Sequence, residues 1–175
     1  MHRRSLALLE ALVSRDAGQT DWQYALFVTH AKIGETLIAL GKRDEALASY
    51  HRGHVIIKML VARDASNADW LNDFGGLAYD FLLARDFAAA LEAAEQTIAV
   101  APELIFIYGN RAHALMFLGR VDEARALYLK YRGTKNVQDD KSWETVTLQD
   151  FAELRKAGLK HPLMDEIEKQ FTAGG

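Results

Sequence analysis

Two pairs of segments in this chain repeat one another, and this self-similarity restricts the fold more than any other feature. Residues 40–50 (LGKRDEALASY) and 118–128 (LGRVDEARALY) are identical at seven of eleven positions, and 84–91 (ARDFAAAL) is a looser copy in the same frame. Residues 13–22 (VSRDAGQTDW) and 61–70 (VARDASNADW) agree at six of ten positions, with a spacing of 48 residues. Periods of this size indicate an array of similar units, each of which buries its apolar face against the next.

Each unit has the pattern of two helices. Apolar side chains recur at helical spacing across 21–40, and the pattern stops at Gly41, a residue typical of helix ends. A second helical pattern begins near Asp44 and continues to residue 64. The same alternation recurs at 67–84 with 87–100 and at 103–118 with 121–132. Because no segment shows a sustained period of two and no Asn-Gly or Asp-Gly turn occurs, we expect an all-α fold.

The spacing of small and large residues resembles the tetratricopeptide repeat (TPR) family. The first helix of each unit has a small residue where the helix pair would cross, and so does the second; these are Gly34, Ala78 and Ala112, then Ala46, Ala90 and Ala124. The bulky positions hold Leu37, Phe81 and Leu115 on the first helix and Tyr50 and Tyr128 on the second. A small residue lets two helices approach closely, and a larger one there would overpack the crossing. The resemblance covers about 27–138 and implies an α-solenoid of antiparallel helix pairs. The 48-residue spacing is similar to a long-helix TPR variant that occurs in tandem in bacterial proteins. Arg85 departs from the pattern, since glycine is usual there.

The repeats divide the chain into one TPR-like domain, 1–175. Its predicted parts are an N-terminal half-repeat helix at 2–16, repeat 1 at 21–64, repeat 2 at 67–101, repeat 3 at 103–132 and C-terminal capping helices at 142–171. The helix at 2–16 either caps the array, or marks a longer array or a surface for self-association. The segment 142–171 is expected to shield the last apolar face, as repeat arrays require, with a separate docking motif as the alternative.

Composition and motifs argue against several classes of function. The chain has 175 residues, a net charge of -3 and no cysteine, so we expect neither a nucleic-acid binder nor a disulfide or thiolate-metal protein. No apolar run is long enough to span a bilayer, and we expect a cytoplasmic protein that does not bind membranes. His51 and His54 share a helix face, with His30 on the paired helix, but no third ligand can be assigned to a metal. No phosphate loop and no nucleophile elbow occur, so we expect no enzyme, no cofactor and no metal.

The TPR resemblance implies that the first helices of the repeats line a concave, partner-binding face. Carried over position by position, its candidate contact residues are Lys32, Glu35, Asn72, Tyr79, Phe106, Asn110, His113 and Phe117. The basic clamp by which some TPR proteins hold a terminal carboxylate is missing, since its positions hold Ala31, Glu35, Gly76, Phe106 and Asn110.

The function that the resemblance implies is a protein-interaction scaffold that binds a peptide or an amphipathic helix on this face. Two alternatives to this function remain open at this point. One is a homo-oligomerising structural module that associates through its N-terminal helix, and the other is a regulatory fragment of a larger bacterial signalling protein.

Overall fold

A computed structural model describes residues 2–173, and side chains from Leu6 onward. Within that range the chain forms helices joined by turns of three to five residues, except for the longer segment 131–142, which holds the one pairing of strand type, an isolated bridge between Gln138 and Lys141. The helices are α1 His2–Arg15, α2 Thr20–Ala39, α3 Arg43–Arg63, α4 Ala68–Leu83, α5 Phe87–Val100, α6 Phe106–Phe117, α7 Val121–Lys130, α8 Trp143–Lys156 and α9 Pro162–Thr172. The all-α class predicted from the sequence is confirmed.

The turns that follow α2, α4 and α6 share one geometry. Gly41 has a φ of 72° and Gly119 has a φ of 80°, the left-handed conformation that closes a helix without steric cost for glycine. Arg85, which replaces the expected glycine, adopts the same conformation with a φ of 62°. Its amide donates to the Leu82 carbonyl (2.9 Å) and the next amide donates to the Phe81 carbonyl (3.0 Å), which is the bonding pattern of a glycine-ended helix. The unusual residue therefore preserves the turn.

The chain separates into two compact units, Met1–Asp86 and Phe87–Gly175, here called the N-terminal and C-terminal units. The N-terminal unit contains α1 to α4, and the C-terminal unit contains α5 to α9. Their boundary falls between the two helices assigned to repeat 2 at 67–101. The grouping of the helices into TPR repeats stays a prediction.

In the N-terminal unit, α2 and α3 pack as an antiparallel pair. The Ser49 hydroxyl donates to the His30 carbonyl (2.9 Å), and nearer the far end of α3 the Arg63 side chain donates to that of Gln23 (3.5 Å). Midway along the pair, Gly34 lies against the ring of Tyr50, and both residues are buried. An ideal Cβ on Gly34 would lie 2.6 Å from Cδ1 and 2.7 Å from Cζ of that ring. The small residue is required there because nothing larger fits.

In the C-terminal unit, α8 and α9 cover one side of α6 and α7. Trp143 of α8 is buried, and its indole N–H donates to the Tyr128 carbonyl of α7 (2.8 Å). At the other end of α7, the Arg125 guanidinium forms a two-fold ion pair with Glu166 of α9 (2.7 and 3.1 Å). The core of this unit thus includes side chains from the segment that follows the repeats.

We expect Gly34→Ala to destabilise the protein by ~1–3 kcal/mol, because the added methyl overpacks against the buried Tyr50 ring. The matched control is Gly76→Ala on α4, where an added Cβ meets nothing within 4 Å. That substitution should raise stability by about 0.5–1 kcal/mol, the usual advantage of alanine over glycine in a helix. Urea unfolding followed by circular dichroism measures both. Equal stability of Gly34→Ala and wild type would contradict the close crossing.

Candidate functional site

An open groove runs between α2 and α4 in the N-terminal unit, with a volume of ≈ 230 Å³. Its lining consists of apolar and charged side chains with one glycine. These residues are Phe27, Val28, Ala31, Lys32 and Glu35 of α2 and Asp73, Gly76, Leu77 and Asp80 of α4. We call this feature the α2–α4 groove.

Helical periodicity explains why these residues meet. On α4 the lining residues Asp73, Gly76, Leu77 and Asp80 follow the i, i+3, i+4, i+7 spacing, which places them in one stripe on the helix surface. The α2 residues from Val28 to Glu35 have the same spacing. Two such stripes face each other because α2 and α4 both pack against α3.

Gly76 keeps the α4 side of the groove open. It lies inside the helix, where glycine costs roughly 1 kcal/mol relative to alanine. Gly34 has a packing reason, since a side chain there would meet Tyr50, whereas an added Cβ on Gly76 would meet nothing within 4 Å. The glycine at 76 therefore enlarges the groove without serving the packing of the helices.

Charged groups are concentrated along the groove. The Lys32 ammonium lies 2.8 and 2.9 Å from the two carboxylate oxygens of Glu35 and donates to both. This contact raises the pKa of Lys32, so the amine stays charged. The Tyr24 hydroxyl donates to Asp73 Oδ2 (2.8 Å) from the end of the groove. Burial, followed by this bond to a carboxylate, raises the pKa of Tyr24 to about 12.

The carboxyl group of Asp80 has the most altered acidity in the groove. Burial raises its pKa from the ordinary 3.8 to about 7, and the negative charges of Glu35 and Asp73 contribute to the rise while Lys32 opposes it. Burial also raises the pKa of Asp73, against the effect of the Tyr24 hydrogen bond. At neutral pH the groove thus has an excess of negative charge that changes with the protonation of Asp80.

The groove lining holds one cation and three carboxylates: the ammonium of Lys32 is paired with Glu35, and Asp73 and Asp80 lie on α4. Across residues 2–173 no group of three or more His, Asp or Glu side chains is placed to hold a metal ion.

The residues predicted for the partner-binding face are distributed unevenly in the N-terminal unit. Lys32 and Glu35 line the groove, both exposed. Asn72 is exposed and Tyr79 half-buried on α4, outside the groove lining. Each lies one residue before a lining residue, and one residue along a helix corresponds to a rotation of about 100°. The α4 stripe chosen from the sequence was therefore rotated away from the groove, except at Gly76.

Two of the four predicted contact residues of α6 are buried inside the C-terminal unit. His113 has 0% of its surface exposed, with Nδ1 2.7 Å from the Tyr128 hydroxyl and Nε2 3.1 Å from Asp150 Oδ2. Asn110 is also buried. These two side chains are packed within the unit, because α8 covers this face of α6, and His113 offers a partner no surface.

The two aromatic candidates of α6 are partly accessible. Phe106 is half-buried at the start of the helix. Phe117 is half-buried and stacked on Phe87 of α5, with 4.9 Å between the ring centroids, and its edge meets His161. Phe117 thus has a packing role within the C-terminal unit.

Sequence reasoning missed Asp73 and Asp80, which contribute two of the three carboxylates of the groove. The lining residues of the two helices are 45 residues apart, since Val28, Ala31, Lys32 and Glu35 correspond to Asp73, Gly76, Leu77 and Asp80. The contact residues were carried over with the 44-residue spacing of Ala46 and Ala90, which falls one residue short on α4. Neither repeat spacing of the sequence, 44 or 48, gives this offset.

Comparison with protein-family models, curated proteins and solved structures found no match to this chain. The TPR resemblance therefore depends on the residues quoted above. In the part of the chain that the structure describes, no helix combines the length and apolarity needed to cross a membrane.

We expect Asp80→Asn to stabilise the protein at pH 8.5 by roughly 1–3 kcal/mol, because the amide removes the cost of burying an ionised carboxylate. One pKa unit corresponds to ~1.4 kcal/mol, and the full value is reduced because solvent reaches part of the side chain. Because folding raises the pKa of Asp80, the wild type loses stability as pH rises from about 4 through about 7. The advantage of the variant should therefore shrink toward pH 4. Urea unfolding at pH 4.5, 6.5 and 8.5 measures it.

Asp69→Asn, which alters an exposed carboxylate on the same helix, serves as the control. A pH-independent effect of Asp80→Asn would show that folding does not raise the pKa of Asp80.

Proposed function

We propose that this protein is a non-catalytic interaction module that binds a peptide segment, extended or helical, in the α2–α4 groove. The observation that carries this proposal is the groove itself, whose α4 wall is held open by a glycine without a packing role. Peptide segments dock in such grooves through a few anchoring side chains, and a helix presents them at i, i+3 or i+4 and i+7.

The size of the groove favours side-chain anchoring over binding of a small-molecule substrate. Pockets for small ligands typically enclose ~300–1,000 Å³ and bury most of the ligand. The α2–α4 groove encloses ≈ 230 Å³ and is open along its length. A space of this size accommodates one or two side chains of a longer segment, whose backbone remains at the surface.

The test is the selection of displayed random 12-residue peptides on the immobilised wild-type protein, followed by affinity measurements on variants of one position. We expect Gly76→Ala to weaken the selected peptides less than a large side chain does, because a methyl group fills only a small part of the space that the glycine leaves open. Gly76→Trp should weaken the same peptides at least about tenfold, because the indole occupies the groove.

Urea unfolding and circular dichroism confirm that the Gly76→Trp protein is folded, and Ala31→Trp on the opposite wall provides a second obstruction. Selected peptides that bind wild type, Gly76→Trp and Ala31→Trp equally would show that the groove is not their binding site.

A second candidate function, self-association through α1, is favoured by one observation. Leu8 is 63% exposed, on a helix whose other large apolar side chains, Leu6, Leu9, Leu12 and Val13, are half-buried. An exposed leucine on a terminal helix is a natural contact for a second copy, although single exposed leucines are common on monomers.

If α1 mediates self-association, the weight-average mass of the wild type should rise with concentration in sedimentation equilibrium. Leu8→Glu should remain monomeric over the same range, because a buried charge without a partner opposes association. A wild type that stays monomeric at hundreds of micromolar would exclude this function.

A further inference from the structure

The further inference concerns the chemistry of the segment that the groove accepts, and it rests on the proposed function. Three carboxylates line the α2–α4 groove, those of Glu35, Asp73 and Asp80, against the single ammonium of Lys32. The groove of the N-terminal unit therefore has an excess of negative charge when these groups are ionised.

The protein's own cation is committed to one of these carboxylates. Lys32 and Glu35 are three residues apart on α2, and the ammonium donates to both oxygens of Glu35. Asp73 has a neutral donor, the Tyr24 hydroxyl at 2.8 Å. Among the residues that the structure describes, Asp73 and Asp80 on the α4 side therefore have no cation in direct contact. Their charge is stabilised by the hydrogen bond from Tyr24 and, at longer range, by Lys32, which pairs with Glu35 on α2.

The apolar part of the lining adds a requirement on shape. Phe27 and Leu77 are buried at the floor of the groove, and Val28 and Ala31 are half-buried on its α2 wall. A lysine or arginine side chain combines a methylene stem that packs on such surfaces with a cationic head. An isolated divalent cation has no stem, and Ca²⁺ takes six to eight oxygen ligands, which this lining does not assemble.

We propose that the α2–α4 groove binds a peptide segment through a lysine or arginine side chain, whose stem lies on Phe27, Leu77 and the open face of Gly76 and whose cationic head pairs with Asp80 and is attracted by the charge of Asp73. The raised pKa of Asp80 is consistent with this assignment, because a carboxylate surrounded by Glu35 and Asp73 gains from an added cation. Opposite charges set at a groove give specificity and faster association.

The experiment examines the sequences of displayed peptides that bind wild type but not Gly76→Trp. We expect a lysine or arginine at one fixed position of these groove-dependent peptides, flanked by apolar residues. Synthetic versions of one peptide, with norleucine and with glutamate at that position, should bind at least about tenfold and about a hundredfold more weakly.

Charge variants of the protein locate the pairing. Asp80→Asn and Asp73→Asn should each weaken the basic peptide by about five- to twentyfold and leave the norleucine peptide unchanged. Asp44→Asn, which alters an exposed carboxylate in the first turn of α3 outside the groove lining, should leave both peptides unchanged.

The pH dependence gives an independent readout. The groups that face Asp80 are Lys32 and Glu35 of α2, the Tyr50 hydroxyl of α3 and Asp73 of α4. Protonation of Asp80 below about pH 7 removes negative charge from the groove, so the basic peptide should bind several-fold more weakly at pH 5.5 than at pH 8. This difference should be much smaller in Asp80→Asn.

The outcomes separate the two proposals. Groove-dependent peptides without a fixed basic residue, or with affinities unaffected by Asp80→Asn and Asp73→Asn, overturn the inference and leave the peptide-binding function standing. Absence of any peptide that distinguishes wild type from Gly76→Trp overturns the function and the inference together. Two further results would assign the groove to another occupant and overturn the inference. One is saturable binding of calcium from CaCl₂ without a peptide, and the other is self-association of the protein, provided that Gly76→Trp abolishes the effect.

Discussion

The contact of the Tyr50 ring with Gly34 is the interaction on which the geometry of the groove depends. Tyr50 is 1% exposed and lies on α3, against Gly34 of α2 on one side and the ring of Phe81 of α4 on another, at 6.0 Å between centroids. One side chain thus sets how closely α2 approaches α3 and where α4 packs on the same helix. Because the groove is the space left between α2 and α4, its width follows from the size of Tyr50 and the absence of a side chain at Gly34.

The stability of the N-terminal unit and the charge of its groove oppose each other. Buried ionised carboxylates are costly unless they are paired. Asp80 and Asp73 both have raised pKa values, and burial also raises the pKa of Tyr50, with the charges of Asp80 and Glu35 adding to that rise. An alanine at Gly76 and amides at the aspartates would give a more stable helix and a less charged interior. Violations of local preference of this kind concentrate at functional sites, where binding rather than folding sets the residue.

The sequence was sufficient for those features that depend on local periodicity. Helical spacing, glycine stops and the copies of 40–50 located the helices, and the small residue at Gly34 was expected where it packs on Tyr50. Lys32 and Glu35, taken from the resemblance, line the groove, whereas Asn72 and Tyr79 of α4 lie one residue away from its lining. The rotation of α4 relative to α2 could not be read from the repeats, because the lining residues are 45 residues apart and the sequence copies have spacings of 44 and 48. That any of these residues contacts a partner stays a prediction.

The interior position of His113 shows a second limit of the same kind. The TPR resemblance described α6 only in relation to other repeats, whereas the side chains that contact His113 include Asp150 and Phe151 of α8, outside the repeat pattern, as well as Tyr128 of α7. The side chains of α8 select which face of α6 stays accessible, and no periodicity within α6 contains that information.

Proton binding and cation binding at Asp80 compete for the same negative charge. A cation held beside Asp80 favours the ionised carboxylate and lowers its pKa from about 7 toward the ordinary value. If the groove binds a basic side chain as proposed, binding near neutral pH is coupled to the release of a proton, and the bound partner stabilises the folded protein by offsetting the cost of the buried carboxylate. Under that proposal, the protonation of Asp80 links the affinity of the groove for a basic segment, the free energy of unfolding of the protein and the pH dependence of both.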